Sequence, residues 1–357
     1  MRKSSLLLPS MAPSLVAAGL GFGGAIAVAR AAHAASKMAA LKGQVVVITG
    51  GSRGLGLALA RRFVDLGCRV AICGRDEHSL ERAREELLAR GGAHGAEVIA
   101  MPADVSDDVE SDRFIELVFA NWGRIDVLIT CAATLQVGPI ETMTTRDLHH
   151  AMESIFWSAA YPSLAVLPIM KHQGAGRIAH VTSIGGKIAI PHMVAYSAAK
   201  FAEVGFSEGL RAEVARHGIG VTTVVPGLMR TGSHVHAQMK GRARREYEWF
   251  GLSAASPAMS IDADRAARAI VRAVALGHDE IVLGAPAKLA ERVHALSPAL
   301  ARIALSLVGR LLPSADGESA AEPAVEGLDI EQRDGEHALV KAVTRLGHAE
   351  AERFHQI

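Results

Sequence analysis

An α/β fold built on a doubly wound parallel sheet is what this sequence predicts, on three observations. Short apolar, β-branched runs alternate with helix-patterned segments from residue 44 to residue 284. The first run, QVVVITG (44–50), has no polar/apolar alternation, as expected of a central parallel strand buried on both faces. The residues with chemistry to offer fall just after strands, on the one sheet edge where such folds bind ligands.

Taken in order, the first strand breaks into Gly50, Gly51, Gly54 and Gly56, and LGLALARRFVDLG follows with helical spacing and a closing Gly67. Strand, glycine turn and helix together make a cradle for a dinucleotide pyrophosphate, because glycines admit a close approach of backbone and the helix N-terminus favours an anion. RVAIC (69–73) is the second strand. An acidic residue after this strand would bind ribose hydroxyls, but the chain has Gly74-Arg75, with Arg53 in the glycine turn. Two guanidinium groups suit a ribose 2′-phosphate, which favours NADP(H) over NAD(H); the competing reading is two surface arginines. Residues 77–90 read as an amphipathic helix closed by Gly91-Gly92, and 97–101 as the third strand, followed by Asp104-Val105. Asp104 is a candidate acceptor for the adenine amino group or, alternatively, a helix cap. A helix ends near Trp122-Gly123, 126–131 is the fourth strand, and one long helix covers 145–172. GRIAHVTS (176–183) delivers Ser183, the next helix runs to about residue 218, and GVTTVV (220–225) ends in Pro226-Gly227. A helix over 262–277 and a last strand, EIVLG (280–284), complete the alternation.

The catalytic candidates are Ser183, Tyr196 and Lys200. Tyr196 and Lys200 stand four apart, so on a helix they share one face. An ammonium beside a phenol favours the phenolate and lowers its pKa from about 10 toward working pH. Tyr196 then becomes a proton donor or acceptor for an alcohol/carbonyl pair, with Ser183 able to hydrogen-bond the same oxygen.

Over about 41–285 the chain resembles the short-chain dehydrogenase/reductase family. The likeness rests on TGGSRGLG (49–56), Asp104-Val105, Ser183, YSAAK (196–200) and PGLMRT (226–231). It implies a Rossmann-like fold, with Tyr196 as general acid/base, Lys200 tuning it and holding the nicotinamide ribose, and Ser183 polarising the carbonyl. It implies a pyrophosphate cradle of Gly50, Gly54 and Gly56 with Ser52, Arg53 and Leu55, and a nicotinamide side of Pro226, Gly227 and Thr231. Arg75, Asp104 and Val105 fall on the adenosine side. A dimer or tetramer is also implied. Two positions depart from the family pattern. Thr130-Cys131-Ala132-Ala133 stands where Asn-Asn-Ala-Gly is usual, and Ala133 crowds the cofactor side. Ile155 stands where an asparagine helps hold a water linking the lysine to solvent, so proton supply to Lys200 needs another route.

The 357 residues suffice for one large domain with extensions. A net charge of +1 gives no reason to expect a nucleic-acid partner. Cys68, Cys73 and Cys131 have neither metal-type nor disulfide-framework spacing, and read as reduced, buried thiols of a cytosolic compartment. No histidine cluster reads as a metal site; His149-His150 and His234-x-His236 come nearest. Residues 1–36 form an apolar N-terminal segment with no charge from Ser4 to Ala29, long enough for the roughly 20 residues of a bilayer span. A retained membrane anchor, a cleaved export signal ending near Ala-His-Ala (32–34) and a loose arm all fit it. Residues 232–260 fall where the family likeness implies a substrate loop, and mix Lys240, Arg242, Arg244 and Arg245 with Tyr247, Trp249 and Phe250. They read either as a lid over an apolar substrate or as a solvated helix with an aromatic anchor. Residues 286–313 form an amphipathic helical pair restarting at Ser297-Pro298, fitted to a membrane, a substrate pocket or its own domain. Residues 314–357 read as an acidic, mostly disordered tail, with a short terminal helix near 337–354. The reading is an NADP(H)-dependent oxidoreductase interconverting a secondary alcohol and a carbonyl on an apolar small molecule. A membrane-associated reductase of long-chain keto-lipids, such as 3-keto-sphingoid bases, and a non-catalytic NADP(H) sensor or scaffold stand as alternatives.

Overall fold

The computed structural model describes residues 28–92, 95–315, 323–334 and 337–357. Residues 28–39 are helical (α1) and lead into the central sheet. Its strands are β1 (Val45–Thr49), β2 (Arg69–Gly74), β3 (Val98–Pro102), β4 (Val127–Thr130), β6 (Gly176–Val181), β7 (Ile219–Pro226) and β11 (Glu280–Leu283). All neighbours pair in parallel, in the order β11-β7-β6-β4-β1-β2-β3. This is the doubly wound sheet predicted, with the chain reversing direction at β1.

β1 sits mid-sheet because both its faces are apolar. Val46 and Ile48 enter one core with Leu57, Phe63 and Ile270, from α2 (Gly54–Asp65) and α9 (Ala263–Leu276). Val45 and Val47 enter the other with Phe114 and Val166, from α4 (Asp108–Trp122) and α6 (Ser158–Gln173). Alternate residues of one strand therefore feed opposite layers. α3 (Glu77–Gly91) covers the first face beside α2, and α7 (Val194–Val214) packs on β7.

The expected single helix over 145–172 is α5 (Thr145–Ala151) and α6 joined by a π-helical turn, Met152–Trp157. The Ser158 hydroxyl explains the widening. It lies 2.9 and 3.1 Å from the carbonyls of Ser154 and Ile155, and 3.1 Å from that of Ala132. Hydroxyl back-bonding of this kind competes with the helical ladder, and Pro162 has no N–H to offer the Ser158 carbonyl.

The tail departs most from expectation. Over its described residues 314–357 is folded rather than mostly disordered: β12 (Val325–Glu326), α12 (Gly327–Asp334) and α13 (Ala338–Arg353), the last being the terminal helix expected near 337–354. β12 pairs antiparallel with β9 (Gln238–Met239), which pairs with β5 (Gln136–Val137). Ile330, Val340 and Val343 bury against Tyr247 and Phe250 of α8 (Ala243–Ala255). β8 (Leu228–Arg230) and β10 (Ser260–Asp262) form a second small parallel pair. The helical hairpin is as predicted: α10 (Ala285–Leu296) and α11 (Pro298–Leu311), with the Ser297 side chain capping α11. Its apolar stripe is uncovered, Leu296 being 87% and Leu311 86% exposed. Among the described residues no helix is long and apolar enough to cross a membrane. The apolar run 4–29 lies outside them except for its last two residues.

Candidate active site

β6 ends at Val181, and Ser183 lies two residues on, buried, its Oγ accepting the Gly185 N–H at 3.0 Å. α7 begins at Val194 and carries Tyr196 in its first turn and Lys200 one turn later. A Cβ placed on Gly185 would stand 3.4 Å from Ser183 Oγ and 3.1 Å from Tyr196 Cε1, so serine and tyrosine face a common point. Lys200 Nζ is 5.9 Å from the centre of the Tyr196 ring. The three catalytic candidates are thus brought together.

Lys200 is 3% exposed, and its ammonium donates to the Val181 carbonyl at 2.9 Å and to Glu203 Oε2 at 2.8 Å. Burial works against the charge, but the Glu203 carboxylate and Tyr196 outweigh it and hold the amine above its ordinary range. Burial outweighs Lys200 and leaves the Glu203 carboxyl above its ordinary range, while the Lys200 ammonium is also held up; the 2.8 Å contact between the two decides for the ion pair. Sequence reading missed Glu203. The available signal was a carboxylate three residues after the lysine, within the otherwise apolar stretch FAEVGF (201–206).

At the glycine turn, Gly50 has φ +66°, and a Cβ there would meet Ala132 Cα at 2.9 Å; one on Gly56 would lie 2.0 Å from the Gly50 carbonyl oxygen. The turn itself suits a nicotinamide dinucleotide, since only hydrogen at both positions lets it close against β4 and α2, although the Phe354 carbonyl takes up its Gly54 N–H. Thr49 Oγ1 accepts the N–H groups of Cys131 (3.1 Å) and Ala132 (3.3 Å), anchoring the altered 130–133 stretch without asparagines. Ser52 and Leu55 are buried in the turn. Pro226 closes β7, the Gly227 N–H donates to the Leu283 carbonyl, and Thr231 is buried with its hydroxyl 2.9 Å from Ser233 Oγ.

On the adenosine side Arg53 and Arg75 lie close enough to act on each other. Burial, and secondarily Arg75, hold Arg53 below its ordinary range, with Glu326 and Asp76 opposing. Arg53 Nη1 lies 2.9 Å from His236 Nε2, while Arg75 is exposed and 3.9 Å from Asp104. Asp104 is not the helix cap. It accepts from Ser106 N and Oγ, whereas Asp107 caps α4 through the Glu110 N–H; Val105 is buried beside it.

Two further features bear on the site, the first at a position the sequence had singled out, the second with no local sequence signature. Ile155 is 1% exposed on the π-turn and packs against Ala195, Ala199 and Tyr196, so no polar side chain reaches Lys200 from that position. The C-terminal residues reach the glycine turn, the Gly54 N–H donating to the Phe354 carbonyl at 2.8 Å. Residues 232–260 show the aromatic anchor of the second reading. Tyr247 is fully buried with its hydroxyl on Glu331, and Lys240 pairs with Asp147 at 2.7 Å.

A doubly wound sheet with a serine, a tyrosine and a lysine converging beside a glycine cradle defines a nucleotide-dependent oxidoreductase. The family model for short chain dehydrogenase matches residues 44–240, and this chain belongs to that family, acting on CH–OH and carbonyl groups. It is 33% identical over 262 residues to a dehydrogenase/reductase SDR family protein 7-like of Drosophila melanogaster, covering 73% of this chain and 78% of the relative. It is 33% identical over 257 residues to a putative oxidoreductase SadH of Mycobacterium tuberculosis, covering 70% and 90%. Among solved structures, a short-chain dehydrogenase from Streptomyces avermitilis superposes with a TM-score of 0.64 at 30% identity, covering 75% of this chain and 97% of that one.

Proposed function

We propose that the protein is an NADP(H)-dependent reductase/dehydrogenase interconverting a secondary alcohol and a carbonyl on an apolar small molecule. The observation that carries the reading is the convergence of Ser183 Oγ and the Tyr196 ring on one point with Lys200 behind them. Bound in the cradle, the cofactor supplies or accepts the hydride. Tyr196 gives its proton to the carbonyl oxygen as the alcohol forms, or takes it back in oxidation. Ser183 hydrogen-bonds the same oxygen and orients it, and Lys200 provides a fixed positive charge beside the phenol. Leu135, Ile190, Met193 and Leu228, packed in the same cluster as Tyr196, favour an apolar substrate. Arg53 and Arg75 favour the phosphorylated cofactor, and Pro226, Gly227 and Thr231 would flank the nicotinamide.

Tyr196→Phe tests the mechanism: NADPH-dependent carbonyl reduction should fall at least 100-fold, on the order of the usual acid/base contribution. Undiminished turnover would refute it. Arg75→Glu should weaken NADPH binding much more than NADH binding, and equal effects would remove the phosphate role.

The uncovered side chains of Leu289, Leu296, Ile303, Leu307 and Leu311 favour a second reading, a reductase of long-chain ketones working at a lipid surface. Full-length protein wholly in the soluble fraction would count against it. Family likeness carries the proposal of a homo-oligomer, for which the exposed Trp157, Leu164 and Phe201 offer a face.

A further inference from the structure

We propose that Glu203 is the positioning residue for Lys200, setting both the place of the ammonium and the net charge beside Tyr196. This rests on the acid/base reading of Tyr196. Lys200 has two partners for its ammonium on this side, the Val181 carbonyl and Glu203, and the carboxylate is itself 2% exposed. The position from which the family likeness implies a water-holding asparagine carries Ile155, which is apolar and buried. A buried ammonium without a counter-charge discharges or destabilises the fold. Glu203 therefore takes over the support that the isoleucine withdraws, from the helix that carries Lys200 itself and three residues further along it.

A carboxylate in this place has a consequence that a neutral hydrogen-bond partner lacks. It partly cancels the field of Lys200 at Tyr196, so the net charge the phenol meets depends on Glu203 as well as on Lys200. The other ionisable groups facing the pair are Cys131, from the loop after β4, and His180 on β6, on which Lys200 also acts. Burial holds the Cys131 thiol at about 12 and lowers His180 to about 3, so both are neutral near pH 7. Lys187, on the turn packed against α7, is engaged by Glu208 and Glu280, and Glu153 of the π-turn faces solvent.

The test is the pH profile of alcohol oxidation by Glu203→Gln. The amide keeps a hydrogen bond to Lys200 and removes the negative charge. The acid-limb midpoint should fall by about one pH unit, a tenfold change in the controlling ionisation, with NADP⁺ affinity within twofold of wild type. A merely structural residue would lower kcat at every pH and leave the midpoint in place, and that result overturns the proposal. Should Glu203→Gln not fold, Glu203→Asp carries the test. It keeps the charge but moves it away from the ammonium, so the acid-limb midpoint should fall by about half a pH unit, less than in Glu203→Gln; a midpoint equal to wild type overturns the proposal. Tyr196→Phe separates the failures, because an active phenylalanine variant sinks the acid/base reading and not merely the role of Glu203.

A second inference stands on a different observation. The geometry points to the C-terminal residues 354–357 competing with the cofactor pyrophosphate for the head of α2. The Phe354 carbonyl accepts the Gly54 N–H at 2.8 Å. The Gln356 carbonyl lies 2.8 Å from His236 Nε2, the nitrogen that Arg53 also approaches. The Gln356 side-chain nitrogen stands 2.7 Å from where a Gly54 Cβ would be, with Thr231 Cβ 3.9 Å from the same point, so the tail lies between glycine turn and Thr231. Pyrophosphates bind at helix N-termini of this kind, on the same N–H groups. The tail is held there firmly: Phe354 is fully buried between the guanidinium groups of Arg61 and Arg353, and His355 meets Glu86 at 3.0 Å. Cofactor entry thus requires this strap to leave, and apparent affinity is reduced by the fraction of time it stays.

Hydrogen exchange on the full-length chain tests this. The Gln356 N–H, which donates to the Ala351 carbonyl, should exchange at least fivefold faster when NADPH is saturating. Slower or unchanged exchange overturns the inference. A chain ending at Arg353 gives the converse readout, an NADPH Kd at least fivefold lower than full length. A Kd equal or higher in a chain of undiminished melting temperature also overturns it. If neither chain binds NADPH or NADH, the cofactor reading itself has failed.

Discussion

Glu86→Gln reports on how the strap is fastened. Glu86, on α3, receives both forks of Arg61 at 2.6 and 2.7 Å and meets His355 Nε2 at 3.0 Å. Burial raises this carboxyl, but His355 and Arg61 more than offset that and bring it from 4.5 to about 2. At about 1.36 kcal/mol per pH unit this is worth about 3 kcal/mol at pH 7, and its side chain is 31% exposed, which reduces the expectation to about 2 kcal/mol. A lowered carboxyl stabilises above its unfolded value of 4.5, and the contribution fades as pH falls through about 2. Glu86→Gln should therefore lose about 2 kcal/mol at pH 7 and less than half as much at pH 3. Urea unfolding of both chains at the two pH values measures this. An equal loss at both, or none at pH 7, refutes the reasoning.

Three more outcomes follow from the same geometry. Lys200→Met leaves the Glu203 carboxyl buried without its counter-charge and should cost about 3–5 kcal/mol in urea unfolding, most of it recovered in Lys200→Met/Glu203→Leu; a single variant as stable as wild type would mean the two are not an ion pair. Gly50→Ala forces a side chain into φ +66° against the Ala132 backbone, so it should lose about 1–2 kcal/mol from the dihedral alone, more from the clash, and bind NADPH at least tenfold more weakly by fluorescence titration. Burial pushes the thiols of Cys68 and Cys73 up to about 12, so neither should be alkylated by iodoacetamide at pH 8 until the chain unfolds; rapid labelling of either in the native protein would contradict their burial.

The parts legible in the sequence are those written in local periodicity. VVVIT reads as a doubly buried strand because every side chain is apolar, and it lies between β2 and β4 with all five residues buried. Ser297-Pro298 reads as a helix restart because the serine can cap and the proline needs no N–H, and both hold. Tyr196 and Lys200 could be placed on one face by counting. What escaped depends on long-range partners. Val325, Ile330, Val340 and Val343 are spread thinly through an acidic, small-residue tail, and nothing nearby says that α8 will present Tyr247 and Phe250 to bury them. The π-turn escaped because its cause, the Ser158 hydroxyl, is an ordinary residue in a helical pattern. Glu203 escaped because a glutamate on a helix is usually solvated, and only its partner explains its burial.

The Lys200–Val181 hydrogen bond joins two halves of the site that the chain builds separately. Ser183 is placed by the end of β6, and Tyr196 by the first turn of α7, with ten residues between Ser183 and Val194, a single 3-10 turn and then irregular chain. A loop of that length cannot by itself hold two side chains to the tolerance that proton transfer requires. Lys200 bridges them: its backbone belongs to the helix of the tyrosine, and its ammonium rests on the last carbonyl of the strand that delivers the serine. Glu203, rooted one turn further along that helix, keeps the ammonium charged and so keeps the bridge in place. Displacing the lysine would therefore disturb serine-to-tyrosine geometry as well as the charge beside the phenol, and the two effects separate in the variants above. Glu203→Gln removes charge while preserving a bond to the bridge, whereas Lys200→Met removes both.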